Sequence, residues 1–170
     1  MDIKKELLKG HSRALADRIV NYVDSDQSRF NTLIAIFLAG PYQITQRAAW
    51  PLSCCVENYP FLIDSHYGHV LKILNQPGIH DAVKRNIMRL LQFVDVPQKY
   101  QGKVIEHCYN LMSPTEPIAV RVFAMTVLAN LAKQHTDLKK ELKLVIEDQV
   151  PFATAAYLSR SKKILKQLEK

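Results

Sequence analysis

Residues Glu116–Lys133 read EPIAVRVFAMTVLANLAK, and this stretch decides the fold. The preceding Ser113-Pro114-Thr115 is typical of a turn, and Pro117 suits the first turn of a helix, where no backbone N–H is needed. Nearly every side of the resulting helix is apolar, through Ile118, Ala119, Val122, Phe123, Met125, Val127, Leu128 and Leu131. Because such a helix must be covered by other helices, the stretch predicts an all-α fold.

Turn residues divide the remaining chain into further helices. The predicted helices span residues 2–9, 13–23 (with Ser12 as N-cap), 27–39, 42–58, 61–75, 81–94, 98–112, 117–133, 136–149 (capped by Thr136 or Asp137) and 151–170. Short connections between them predict that consecutive helices pack antiparallel. Pro51 falls inside the fourth helix, and we expect it to bend that helix because it removes one backbone hydrogen bond.

Composition is that of a soluble globular protein of one domain. The 170 residues are 48% hydrophobic and 23% charged, which argues against disorder. No apolar run approaches the roughly 20 residues of a membrane helix, and the first ten residues lack the apolar centre of a signal peptide. Three cysteines without a spaced framework indicate a reducing compartment, so a cytoplasmic location and no membrane partner are expected.

Arginines recur in the first turns of four helices, within ITQRAAWPLS, AVKRNIMRLL, IAVRVFAMTVL and YLSRSKKILKQL. These residues are Arg47, Arg85, Arg121 and Arg160, separated by 38, 36 and 39 positions. Such a period is typical of a repeat of two helices, each unit burying one face against its neighbours.

This pattern resembles the HEAT/armadillo-like repeat family, whose second helix opens with Val-Arg followed by Ala and Leu. Val120-Arg121 with Ala124 and Leu128 is the best match. The resemblance covers residues 26–170 as about four helix pairs, with residues 1–25 as capping helices of the same single domain. It implies an all-α superhelix, a curved solenoid of antiparallel helix pairs, and a non-catalytic scaffold that binds a protein or peptide on its concave face. The aspartate that this family often carries in its intra-repeat turn is largely missing.

The repeated arginines have two interpretations. In the first, they form a structural ladder between stacked helices, and their repetition favours this interpretation. In the second, they line the concave face and bind acidic ligands. Arg89 has no counterpart in the other repeats and lies four residues after Arg85 on the same helix side, so it is the better candidate for binding.

One face of the fourth helix carries Arg47, Trp50, Cys54 and Glu57 at i, i+3, i+7 and i+10. A tryptophan between a cation and a carboxylate can form a binding surface. It can also anchor the core, and since large aromatic side chains are mostly buried, we expect Trp50 in the core. With the binding interpretation of this face kept open, the candidate binding residues are Arg47, Trp50, Glu57, Arg85, Arg89 and Arg121.

Charge distribution supports an alternative function, nucleic-acid binding through the basic C-terminal half. Residues 1–95 hold 11 Lys and Arg against 9 Asp and Glu, whereas residues 96–170 hold 12 against 7. Much of the excess lies in the last helix, at Arg160, Lys162, Lys163, Lys166 and Lys170. HEAT-like glycosylases that remove alkylated DNA bases are similar in fold. They use several aromatic residues and an aspartate, whereas the helix of Trp50 has no aspartate.

No motif indicates a cofactor, a metal site or a catalytic centre. His66 and His69 lie three residues apart, and His107 adjoins Cys108, but a metal needs three or four converging ligands. Cys54-Cys55 is not a C-x-x-C redox motif, and no phosphate-binding glycine loop or nucleophile elbow is present.

Overall fold

The computed structural model describes residues 1–169 and is all-α. Its ten α-helices are α1 (Ile3–Leu8), α2 (Arg13–Val23), α3 (Gln27–Ala39), α4 (Tyr42–Asn58), α5 (Tyr67–Leu74), α6 (Asp81–Leu91), α7 (Gln98–Leu111), α8 (Ile118–Leu131), α9 (Thr136–Gln149) and α10 (Ala155–Leu168). Two short 3-10 helices, Pro60–Ile63 and Val150–Phe152, precede α5 and α10. No strand occurs among these residues, which confirms the predicted all-α repeat fold.

Helix starts follow the capping chemistry of the sequence. The side chains of Asp2, Ser12, Asp26 and Thr154 each accept a hydrogen bond from a backbone N–H of the first turn that follows. These bonds satisfy donors that have no partner within the helix, so the four residues fix where α1, α2, α3 and α10 begin.

Several predicted helix boundaries are wrong, among them the end of α6, which lies at Leu91 rather than at residue 94. The helix expected after Tyr59-Pro60 begins only at Tyr67, because Pro60 starts a separate 3-10 helix. The N-cap of α9 is His135 rather than Thr136 or Asp137. The last helix begins at Ala155 rather than Pro151, since Thr154 supplies the cap.

The chain forms two compact units, residues 1–95 and the part from Val96 onward. In the first unit, α4 is the central helix and packs against α2, α3 and α6. Its buried side includes Ala48, Leu52, Cys55 and Val56. That one domain spans residues 1–170, with residues 1–25 as its cap, stays a prediction.

In the second unit, α8 is central and packs against α7, α9 and α10. The residues it buries lie on more than one side of the helix: Val120, Ala124, Met125, Val127, Leu128, Ala129 and Leu131. The nearly uniform apolar character of this helix thus reflects neighbours on several sides, as the sequence predicts.

Pro51 is buried within α4, and the helix continues across it without a break. Whether α4 bends at this residue stays a prediction.

Candidate functional site

Helices α4 and α6 together carry five of the six candidate binding residues, in the first unit. Three side-chain contacts join the helices: Ser53 with Asn86, Cys54 with Arg89, and Glu57 with Arg89. The paired residues are 33, 35 and 32 positions apart. Since this separation is nearly constant along both helices, α4 and α6 run parallel, with each residue of α4 beside one about a repeat later.

A buried polar contact holds this register. Ser53 Oγ lies 3.2 Å from Asn86 Oδ1, and Asn86 Nδ2 donates to the carbonyl of Ala82 at 2.7 Å. Both Ser53 and Asn86 are buried. Neither residue is among the candidates predicted from the sequence. Both are polar side chains on otherwise apolar helix faces, and this pattern could have indicated that they contact each other, because buried polar groups need partners.

Arg89 is the polar centre of the face. Its guanidinium forms an ion pair with the carboxylate of Glu57, and its Nη1 lies 3.5 Å from Cys54 Sγ. The side chains of Arg89 and Glu57 retain 27% and 37% of their exposure, so the pair borders solvent. The structure therefore brings together Arg89, Glu57 and Cys54, which the sequence placed on two separate helices.

Trp50 lies outside the buried core, contrary to the expectation that it anchors the core. Its ring is half-buried and packs against His11, with ring centroids 5.4 Å apart and planes tilted by 52°. The buried stripe of α4 runs through Ala49, Leu52 and Val56, and Trp50 stands beside it. The indole is consequently available at the surface of the first unit.

Arg47 and Arg85 differ sharply, although both occupy the repeated position. Arg47 Nη1 donates to the carbonyls of Leu7 and Leu8 at 3.0 and 3.2 Å, where α1 ends. Such a cation at a helix C-terminus satisfies carbonyls that lack partners within the helix. Arg85 is exposed, and no hydrogen bond or ion pair from any residue in the range 1–169 engages its guanidinium.

In the second unit, Arg121 is held by its own surroundings. Its Nη2 donates to Gln149 Oε1 at 2.8 Å, and its guanidinium lies 4.6 Å from the centroid of the Tyr157 ring. Tyr157 also donates to Gln149, and Gln149 donates to the carbonyl of Met112. These contacts join α8, α9 and α10, as expected of a residue that stabilises helix packing.

Arg160 also binds within the second unit, through Nη1 to Thr126 Oγ1 at 2.9 Å. Of the four repeated arginines, Arg47, Arg121 and Arg160 thus bond neighbouring helices, and Arg85 stands apart. That Arg47, Arg85, Arg89 and Arg121 bind a partner stays a prediction.

The exposed cations of α10 are Lys162, Lys163 and Lys166. None of the three forms an ion pair with another residue that the structure describes, and Lys170 lies outside the described residues. They are three of the exposed lysines of the second unit.

The thiols differ in environment. Burial, together with the neighbouring Cys54, raises the pKa of Cys55 to about 12, and burial likewise raises the pKa of Cys108. Cys54 is the half-exposed thiol. Buried thiols of this kind stay protonated and behave as small apolar side chains.

Within residues 1–169, no three His, Cys, Asp or Glu side chains are grouped so that they could hold a metal ion. Among the same residues, no helix has both the length and the apolar character needed to cross a bilayer.

Residues 3–168 match the model of a family described as HEAT repeat domain. No curated protein and no solved structure matches the chain. The family match extends over nearly the whole sequence, in keeping with the paired helices and the arginines repeated every 36 to 39 residues. The chain therefore belongs to the HEAT repeat domain family and is a helical-repeat scaffold.

Proposed function

We propose that this scaffold is a non-catalytic interaction module that holds a protein or peptide segment on the face formed by α4 and α6. The observation that carries the proposal is the half-buried Trp50 on α4, the same helix whose Glu57 pairs with Arg89 of α6. Tryptophan and arginine are the residues that most often supply binding energy at protein interfaces.

The face has the parts that such an interface needs. The indole of Trp50 offers a large, rigid apolar surface, and His11 supports it from one side. Arg89 and Glu57 supply a polar border, and Arg85 adds a guanidinium whose donors have no partner within the described part of the chain. The arrangement matches an apolar anchor bordered by hydrogen-bonding groups.

The family resemblance supports this choice of face, because it implies that second helices of successive repeats, such as α4 and α6, line the concave side. We include Arg47 and Arg121 in the proposed surface only as residues that shape it, because their guanidinium groups already bond to α1 and to Gln149. Glu57 would orient Arg89 toward the partner.

Cys54 provides a direct test. It is the half-exposed thiol and borders Arg89, whereas Cys55 and Cys108 are buried, so a maleimide-linked benzophenone should label it selectively. Irradiation in an extract of the source organism should crosslink a protein. The matched control carries the label on α5 instead, at a cysteine replacing exposed Lys72 in a C54S background.

A crosslinked protein supports the proposal only if its purified segment also changes the emission of Trp50, the sole tryptophan. Equal crosslinking from both label positions, or binding that leaves Trp50 emission unchanged, would contradict it.

A second candidate function is nucleic-acid binding, and the exposed Lys162, Lys163 and Lys166 favour it because they lack ion-pair partners among the described residues. The affinity for a labelled oligonucleotide would then fall steeply with salt, with a logarithmic slope of about 0.7 to 0.9 per neutralised phosphate. Anisotropy measurements at low and moderate salt check this, with the triple Lys→Gln variant as comparison. A base-excision assay would follow only if binding is found.

A further inference from the structure

We infer that the partner places an acidic side chain on Arg85, beside Trp50, at a position where the repeat lacks its own carboxylate. This inference rests on the proposed function, since it names the chemistry that the α4–α6 face recognises. The partner chemistry is the carboxylate of an Asp or Glu in a peptide segment.

The register of α4 and α6 identifies this binding position, which we call the acid seat: the guanidinium of Arg85 and its surroundings. A separation of 32 residues pairs Glu57 with Arg89. The same separation applied to Arg85 leads to position 53, where a serine stands in place of an acid. Ser53 is buried and is already engaged with Asn86 and with the carbonyl of Trp50. Arg85 therefore occupies the position of an ion-pair donor without the matching acceptor.

The same register places Trp50 beside the seat. Cys54 contacts Arg89 across a separation of 35 residues, and the same separation joins Trp50 with Arg85. A partner carboxylate on Arg85 would thus have the indole next to it. An acidic residue followed by an apolar or aromatic residue fits this combination, because the guanidinium binds the carboxylate and the indole covers the apolar neighbour.

The charges of the face agree with an acidic partner. Glu57 is the only carboxylate of α4, and it is paired with Arg89. Asp81 is the only one of α6, and it lies 3.5 Å from Lys84. On the surface formed by α4 and α6, the three arginines Arg47, Arg85 and Arg89 are therefore balanced by one carboxylate, that of Glu57. This leaves an excess of positive charge. An acidic segment is complementary to it, and such complementarity directs which partners bind.

Glu57 limits how many acids the face accepts. While it occupies the guanidinium of Arg89, only Arg85 is open to an external carboxylate. Replacing Glu57 by glutamine would free Arg89 one helical turn further along α6. The face would then accept two acids about one turn apart, roughly 5 to 6 Å.

Selection from a random library of 12-residue peptides on the full chain tests the inference. Selected peptides should be enriched in Asp or Glu and should change Trp50 emission on titration. In each peptide, replacing the acid by its amide should weaken binding to the native chain by about tenfold. The same replacement should have little effect on binding to the R85Q variant.

The controls separate local recognition from general charge. K72Q removes one positive charge at the exposed Lys72 of α5 and should bind the peptides as the native chain does. E57Q should bind peptides with two acids more tightly. Circular dichroism of R85Q should match the native chain, because the side chain of Arg85 is exposed.

Three outcomes would overturn the inference, and they differ in what they say of the proposed function. If peptides change Trp50 emission but bind equally well without their acid, the inference about Arg85 is wrong and the proposed interaction module is still supported. If R85Q and K72Q weaken peptide binding equally, the peptides are held by unspecific charge attraction. If no selected peptide changes Trp50 emission, the proposed function fails as well.

Discussion

Ser53 Oγ lies 3.2 Å from Oδ1 of Asn86, in a buried position where α4 meets α6. This contact belongs to the same register of the two helices as the ion pair between Glu57 and Arg89. Breaking it from one side removes a buried hydrogen bond, although Ser53 Oγ keeps the carbonyl of Trp50 at 2.8 Å.

Replacing Asn86 by leucine removes its hydrogen bonds to Ser53 and to the carbonyl of Ala82, so it should lower the free energy of unfolding by about 1 to 3 kcal/mol. Urea denaturation measures the change. The double variant S53A/N86L should recover part of the loss, since it removes both polar groups. If N86L alone is as stable as the native chain, the contact does not hold the register.

Gly40 and Gly102 should respond oppositely to alanine. A Cβ at Gly40 would lie 2.6 Å from the carbonyl oxygen of Ile36 and 3.1 Å from Ile44 Cγ2, so the backbone would have to shift. We expect G40A to cost about 1 to 3 kcal/mol of stability, in the range of overpacked sites.

The matched variant G102A lies within α7, where an added Cβ meets nothing within 4 Å. Alanine is favoured over glycine in a helix interior, so this variant should gain about 0.5 to 1 kcal/mol. Thermal melts of the two proteins under one condition make the comparison. Equal shifts in the same direction would show that the close approach at Gly40 is relieved without cost.

The Arg89–Glu57 pair should contribute little to stability. Both side chains are partly exposed, and ion pairs in such positions are worth less than about 1 kcal/mol. R89A should keep the fold, and because it leaves the carboxylate of Glu57 unpaired on the face, it should weaken the binding of an acidic partner. A double-mutant cycle with E57Q, in low and in high salt, measures the coupling. A loss of several kcal/mol in R89A would instead identify Arg89 as a structural residue.

His66 should make the first unit less stable in acid. Burial, together with the neighbouring His69, lowers the pKa of His66, and its Nε2 lies 2.8 Å from Asn31 Oδ1. The unfolded chain therefore binds more protons than the folded chain once the pH falls below the usual histidine value of about 6.5. The contribution of His66 is present above that value and is lost as the pH falls through the lowered pKa.

Urea denaturation between about pH 7.5 and pH 5 follows this loss, and H66Q should show a shallower pH dependence than the native chain. H11Q removes an exposed histidine of the same unit and serves as the control. The assignment is wrong if H66Q and the native chain lose stability in parallel.

Local features of the sequence predicted the helices well. Gly40-Pro41 and Asp24-Ser25-Asp26 bound α3 and α4 at the residues expected, because turn and cap chemistry acts over a few neighbouring residues. The His135 cap was missed because that side chain does not cap by a hydrogen bond; its Nε2 instead lies 2.7 Å from Gln101 Oε1, 34 residues away.

The candidate site was predicted less completely, for the same physical reason. The spacing of Arg47, Trp50 and Glu57 places them on one helix face, but it does not reveal what lies opposite. That Arg89 meets Glu57, that Trp50 packs on His11, and that Arg121 meets Gln149 depend on how helices are stacked. Repetition of the arginines predicted that helices stack, yet not which copy is left without a partner.

The register of α4 and α6 is set by side chains within the helices, so the connection between them need not carry that information. Residues 75–78 of this connection are exposed. Extra residues inserted there would lengthen the path of the chain without rotating Arg85 relative to Trp50, whereas one residue inserted within α6 would turn Arg89 away from Glu57 by about 100°. The length of this loop can therefore change, in evolution or by design, and the chain can be opened there to create new termini. In either case the face formed by α4 and α6 keeps its pattern of side chains.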